Sequence, residues 1–230
     1  MCGRYVLISP AEEISGKLGV EARHPVPPSY NIAPRQPVLI IRRAETGGKE
    51  LAAVEWGLIP EWAKEIGAKP LINARVETVQ VKPSFRSSLI RKRCLVPADG
   101  WYEWRTEGGR KQPYYVTPVG GGPMAFAGTW ATWHGPAGDH WLETMAIITG
   151  PATGPMRSLH SRKPLVLRPE QYDAWLAPHD PLPRGFLESF DWMPETAFHW
   201  HPVTPRMGNI QYNEPGCLDA PEDDPQPTLF

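Results

Sequence analysis

The sequence predicts a single α+β domain dominated by short strands. Three observations carry that expectation. Most apolar runs are brief, rich in β-branched and aromatic residues, and bounded by glycine, proline or asparagine. Only a few segments carry helix signals. The 28 prolines, about 12% of 230 residues against a usual ~5%, are scattered rather than clustered, which suits a loop-rich fold of short strands. The length fits one large domain or two small ones and buries roughly 70% of the unfolded chain's surface.

In chain order, Cys2 lies near the start of a strand. Ser9-Pro10-Ala11-Glu12 has the form of a capping box with proline at the first helical position, and predicts a helix to about Leu18. HPVPPSYNIAP (24–34) reads as a proline-stiffened loop. PVLIIRR and LAAVEWGLI flank the glycine turn AETGGKE and predict a hairpin. PEWAKEIGAK (60–69) reads as loop or irregular helix, and LINARVETV as an extended start turning helical. KPSFRSSLIRKR predicts a basic helix, leading into CLVPADGWYEW as strand, turn and strand. TEGGRK is a second hairpin turn before QPYYVTP. MAFAGTWATW and WLETMAIITG are strands around HGPAGD. RPEQYDAWL predicts a helix and AFHWHPVTP a last strand. The domain is placed at 2–213. Residues 214–230 are acidic and proline-rich, and are predicted to be disordered.

Several classes are excluded at this level. No stretch approaches the ~20 apolar residues of a membrane span, and the N-terminus lacks a signal peptide's basic-then-apolar layout. Cys2, Cys94 and Cys217 form an odd set without metal spacing. A reduced, cytoplasmic, monomeric protein with free thiols and no metal or cofactor is the expectation. Net charge is −1, but residues 214–230 hold five acids and no Lys or Arg. The rest carries 24 basic and 20 acidic residues, a net of +4, so a local basic patch is expected.

The stretch MCGRY carries the chemistry. Met1 is followed by a small residue, the situation in which initiator methionine is generally removed. The product is an N-terminal Cys2 with amine and thiol on adjacent carbons. An α-amine with pKa about 7.7–8.0 and a thiol near 8.5 are both partly nucleophilic at neutral pH. Together they capture an aldehyde, first as an imine and then as a five-membered thiazolidine. Gly3 leaves room for a bulky electrophile. Such chemistry needs proton transfer and a carbonyl-polarising group. The candidates are Glu103 in WYEW, Asn73 in NAR and His160 in LHSRKP. Each has an ordinary structural alternative: an exposed strand residue, a turn residue and a hydrogen-bonded core histidine.

Arg4, Arg75 and Arg162 lie one or two residues from these groups, and arginine beside a reactive centre suits an anionic, phosphate-bearing substrate. Trp56 and Trp62, in EWGLIPEW, are candidates for stacking on bases, with core filling as the alternative. On residues alone three readings stay open. These are an aldehyde-capturing DNA crosslinker, an N-terminal-nucleophile amidohydrolase or peptidase using Cys2, and a non-catalytic single-strand binder.

MCGRY, YNIAP, WGLIPEW, NARVET, RCLVPADGWYEW, AGTW and LHSRKPLVL, in this order, resemble the SOS response-associated peptidase family over about residues 2–210. The resemblance implies a mixed fold with a small barrel-like sheet flanked by short helices and a positively charged cleft. It implies a sensor and shield of abasic sites in single-stranded DNA, nucleoid-associated when bound. It further implies a lyase-like crosslinking activity in which Cys2 forms a thiazolidine with the ring-opened sugar, and an autopeptidase exposing Cys2. By motif, Asn73 orients sugar or cysteine, Glu103 transfers protons and His160 assists imine formation and reversal. Arg4, Arg75 and Arg162 hold phosphates, and Trp62 packs on a base. Two positions depart from the pattern. Lys163 stands where an apolar residue is usual, and is expected to add a phosphate contact or change the pocket wall. Arg35 replaces a small polar residue.

Overall fold

A computed structural model of the chain describes residues 2–22, 24–136, 138 and 140–222. Among them are thirteen strands: β1 (Tyr5–Leu7), β2 (Ser29–Ile32), β3 (Pro37–Arg43), β4 (Lys49–Trp56), β5 (Asn73–Arg75), β6 (Arg93–Ala98), β7 (Gly100–Glu107), β8 (Arg110–Pro118), β9 (Met124–His134), β10 (Trp141–Pro151), β11 (Arg162–Pro164), β12 (Val166–Leu167) and β13 (Phe198–Pro202). Three α-helices accompany them: α1 (Ala11–Leu18), α2 (Pro83–Arg91) and α3 (Tyr172–Leu176).

The predicted hairpins are present. β3 and β4 pair antiparallel from Pro37–Glu55 to Arg43–Lys49, and β7 pairs β8 across the Gly108-Gly109 turn. β10 pairs parallel with β4 and antiparallel with β9. The circuit β10–β4–β3–β6–β9–β10 therefore closes into a ring of five strands, the expected small barrel. Closure leaves no free edge within the ring. It also requires β6 and β9 to approach closely at Gly128, where a Cβ would stand 2.8 Å from the Cys94 sulfur. The second sheet is β13-β8-β7-β1-β2. It packs on the ring through aromatic rings set edge to face. Tyr5 of β1 meets Trp56 and Phe126, and Trp101 of β7 meets Phe126 and Phe198. Such pairs contribute about 0.5–1.5 kcal/mol each beyond their buried area. They fix β1 and β7, and with them Cys2 and Glu103, against the ring.

Four local expectations are corrected. Ser9 does not cap α1; Pro10 is the residue before the helix, and the Ser9 hydroxyl and amide both bond the Asp99 carboxylate. That carboxylate also accepts from Ile8 N, so β1 is tied to the β6–β7 turn. Within 24–34, Ser29–Ile32 is a strand and not loop. Its outer edge is completed by Asn213 Oδ1, which accepts from the amides of Tyr30 and Asn31 at 2.6 and 2.9 Å. A side-chain amide does here the work of a neighbouring strand, which is why strand periodicity alone did not show it. The short β11 and β12 also went unforeseen. Finally, disorder does not begin at residue 214. Pro215–Leu218 forms a 3-10 turn, Cys217 is fully buried against Val6, Tyr102 and Met207, and Asp219 O accepts from Thr204 N at 2.8 Å. Composition misled because one buried thiol and a few backbone bonds suffice to dock the segment. Residues 223–230 lie outside the described ones.

Candidate active site at the seam between the sheets

Cys2 sits just before β1 and is fully buried. Its neighbour in space comes from the other sheet. β5 runs parallel to β10, with Asn73 opposite Ile147, and this register aims the Asn73 amide at the start of β1. Asn73 Nδ2 donates to Cys2 O at 2.8 Å. The Asn73 oxygen is buried and has no hydrogen-bond partner among the described residues. The Cys2 thiol points at Arg4 O across 3.9 Å. Burial, helped by the negative charge of Glu103, pushes the thiol's pKa well above its ordinary value. The resting sulfur is therefore protonated and needs a base.

Glu103 is the candidate. On β7 it follows Trp101 and Tyr102, and β1 lies alongside: Tyr102 N donates to Arg4 O at 3.0 Å. The exposed-strand alternative fails, because Glu103 is 3% exposed. Burial raises its carboxyl to about 7, so both protonation states are populated at neutral pH. His160 faces it, with Nδ1 at 4.0 Å from Oε2. His160 Nδ1 lies 2.9 Å from Arg162 N and 3.0 Å from Arg162 O, so the Arg162 backbone holds the ring in place with either nitrogen carrying the proton. Burial lowers the His160 pKa. Each group is thus driven toward its neutral form, so the 4.0 Å contact is not one between two fully charged groups.

The arginines differ from one another. Arg162 is bound: it forks onto Glu77 at 2.8 and 2.9 Å, and its Nη2 donates to Thr149 O at 2.7 Å. Arg75 ends β5 with its side chain exposed, and it lowers the Glu77 pKa together with Arg162. Arg4 is half-buried, donates to Gly3 O at 2.9 Å, and keeps a buried Nε without a partner among the described residues. Glu77 and Thr149 were missed from sequence. Glu77 stood in the quoted NARVET, two residues past Arg75, and that spacing could have found it.

Trp62 is 65% exposed on the loop between β4 and β5, its indole donating to Pro83 O at 3.4 Å beside the start of α2. Trp56 is not a stacking residue. It is fully buried, and its indole nitrogen donates to Ile72 O, next to Asn73. Lys163 does not reach out to a phosphate either. It is buried, and its Nζ donates to Met193 O at 3.2 Å. Arg35 holds a left-handed backbone, φ 68°, and donates to Ala68 O at 2.9 Å, bracing the Trp62 loop. Among the described residues no cluster of three or more His, Cys, Asp or Glu is placed to hold a metal, and no helix is long and apolar enough to cross a membrane.

Comparison with known proteins identifies the family. Residues 1–210 match the family model described as SOS response associated peptidase. The chain is 38% identical over 229 residues to the abasic site processing protein YoqW of Bacillus subtilis, covering 96% of this chain and 100% of that one. It is 31% identical to YedK of Escherichia coli, an abasic site processing protein, covering 92% and 96%. A crystal structure of a phage-related protein from Bordetella bronchiseptica superposes with TM-score 0.70 at 35% identity, covering 88% and 94%. A structure from Bacteroides thetaiotaomicron, at 23% identity, shares the fold with TM-score 0.81, covering 96% and 100%. The chain belongs to the SOS response associated peptidase family.

Proposed function

We propose that this protein processes abasic sites in single-stranded DNA by capturing the ring-opened sugar covalently on Cys2. The observation that carries the reading is the meeting of Cys2, Asn73, Glu103 and His160 at one seam, each from a different segment. Relatives named as abasic site processing proteins support the substrate class.

The steps follow from the groups present. Removal of Met1, by Cys2 itself or by an aminopeptidase, frees the Cys2 amine. The amine adds to the C1′ aldehyde and gives a carbinolamine. His160 or Glu103, in its protonated form, donates to the departing hydroxyl, and water and an imine result. The Cys2 thiol then adds to the imine carbon. Its proton passes through the Glu103 carboxylate to the nitrogen, and the thiazolidine closes. The net change is one aldehyde and one aminothiol to one thiazolidine and one water. Asn73 holds the Cys2 carbonyl, so amine and sulfur keep one orientation through both additions. Arg4, Arg75 and Arg162 line the approach as phosphate partners, and Trp62 offers an exposed ring to a base.

The test is direct. Protein lacking Met1 is mixed with single-stranded DNA holding one abasic site, and a denaturation-resistant adduct is expected. Cys2→Ala gives none. An amidohydrolase would instead release product from an amide and leave no adduct. A plain binder would shift the DNA equally in the native protein and in the Cys2→Ala variant, again without an adduct. Either result would overturn the proposal.

A further inference from the structure

The turn that carries Trp62 is stitched to the barrel by side chains that the chemistry above does not use. Turn 60–63 closes through Ala63 N donating to Pro60 O at 2.9 Å, so Glu61 and Trp62 are its central residues. Alternate residues of this stretch are tied down. Ile59 N donates to the buried Thr144 hydroxyl of β10 at 2.9 Å. Glu61 Oε1 lies 2.6 Å from the ammonium of Lys92, the residue between α2 and β6. Ala63 O accepts from the indole of Trp133, a buried residue of β9, at 2.7 Å. Trp62 stands between the last two anchors and is 65% exposed.

Lys92 is itself held. Its Nζ donates to Thr132 Oγ1 at 3.1 Å and lies 4.8 Å from the centre of the Trp130 ring, which the Arg42 guanidinium also meets at 4.3 Å. The Lys92–Glu61 pair is partly exposed, and alone such a pair contributes little stability. Its effect here is geometric. With the Trp133 bond it fixes the backbone on both sides of Trp62. The turn cannot lift without leaving the buried Trp133 donor unsatisfied. An aromatic ring on a free loop loses mobility when a base stacks on it, and that ordering weakens binding. A ring whose turn is already pinned avoids the loss.

We propose that Trp133 and Lys92 are positioning residues that fix the Trp62 ring before DNA arrives. The inference rests on the reading of Trp62 as a base partner, and its test separates the two. The first readout is the order parameter of the Trp62 indole N–H in free protein, its resonance assigned by its loss in Trp62→Phe. The second is affinity for undamaged single-stranded DNA, extrapolated to molar salt, where the phosphate contribution vanishes. Native Trp62 should be as ordered as rigid backbone, about 0.85, and fall below about 0.6 in Trp133→Phe and in Lys92→Met. Trp133→Phe keeps the packing and deletes the donor, and Lys92→Met keeps the stem and deletes the charge. Each should weaken binding about 3- to 10-fold. Neither should weaken it further in a Trp62→Ala background. Glu61→Ala should reproduce Lys92→Met, and keeps the test open if Trp133→Phe does not fold.

A purely architectural network would lower Tm and leave the Trp62 order parameter and the affinity native, which overturns the proposal. Losses of equal size with and without Trp62 overturn it too, since the anchors would then act elsewhere. A Lys92 that touches phosphate would give Lys92→Met a shallower salt slope and native affinity at molar salt, a third overturning result. If Trp62→Ala binds like the native protein while the order parameter still drops in the anchor variants, the bracing stands and the reading of Trp62 as a base partner falls.

Discussion

Asn73 Nδ2 donates to Cys2 O across 2.8 Å, and the bond spans the two sheets at the reacting residue. One face of the amide is thus spent on holding the cysteine, while its oxygen stays buried without a partner among the described residues. Asn73→Ala should leave the fold intact and slow single-turnover adduct formation about 10- to 100-fold, the effect of losing a hydrogen bond of roughly 1–3 kcal/mol. Asn73→Asp should be worse, because a carboxylate would face the Cys2 carbonyl. A native rate in Asn73→Ala would remove the residue from the site.

Glu103 links chemistry to stability. Its folded pKa of about 7 lies above the ordinary carboxylate value because of burial. The native state therefore holds its proton more tightly than the unfolded state does. The neutral carboxyl's stability is complete below about pH 4.5 and is lost as pH rises through about 7, a loss of up to about 3 kcal/mol. Urea midpoints of the native protein and Glu103→Gln at pH 4.5 and 8 check this. The variant should match the native protein at the acid end and exceed it at pH 8, while forming adduct far more slowly. Equal pH slopes in both proteins would assign the effect to other groups.

The Arg162–Glu77 fork has to open before Arg162 can meet a phosphate. Glu77→Gln removes the competing carboxylate from beside Arg75 and Arg162. Affinity for undamaged single-stranded DNA should rise severalfold, and the slope of log affinity against log salt should steepen by about 0.7 if one more phosphate is neutralised. Fluorescence anisotropy across a salt series measures both. An unchanged slope would mean that Arg162 stays on a protein partner in the complex.

Ending the chain at Asn213 should destabilise the protein by about 2 kcal/mol, the burial worth of one or two medium apolar side chains. It removes Cys217 from its place beside Val6 and Tyr102, and removes Asp219 O from Thr204. Ending it at Glu222 keeps both, and that truncation should melt above the one ending at Asn213. Thermal melts of the two truncations decide the matter.

What the sequence displayed was periodic or chemically marked. The β3–β4 and β7–β8 hairpins announce themselves through alternation and glycine turns, and α2 through its basic, apolar spacing. MCGRY marked Cys2, and the motif order marked Asn73, Glu103 and His160. What was hidden depends on long-range partners. β2 is a strand because it pairs antiparallel with β1, and Asn213, far along the chain, covers its other edge. Ser9 leaves α1 uncapped because its hydroxyl is turned onto the Asp99 carboxylate and Pro10 takes the cap position. Trp56 and Trp62 share one motif, yet the first is core and the second exposed, since β4 ends between them. Glu77 and Thr149 matter only once β5 and β10 lie side by side.

All three thiols are sealed from solvent, each in a different part of the fold. Cys94 lies in the closed ring against Gly128, Cys217 under the docked C-terminal turn, and Cys2 at the seam. Labelling by a small alkylating reagent under native conditions then reads three separate opening equilibria in one experiment. Modification of the leading sulfur reports breathing of the reaction centre, the last one reports peeling of the terminal segment, and the middle one reports the melting of the entire barrel.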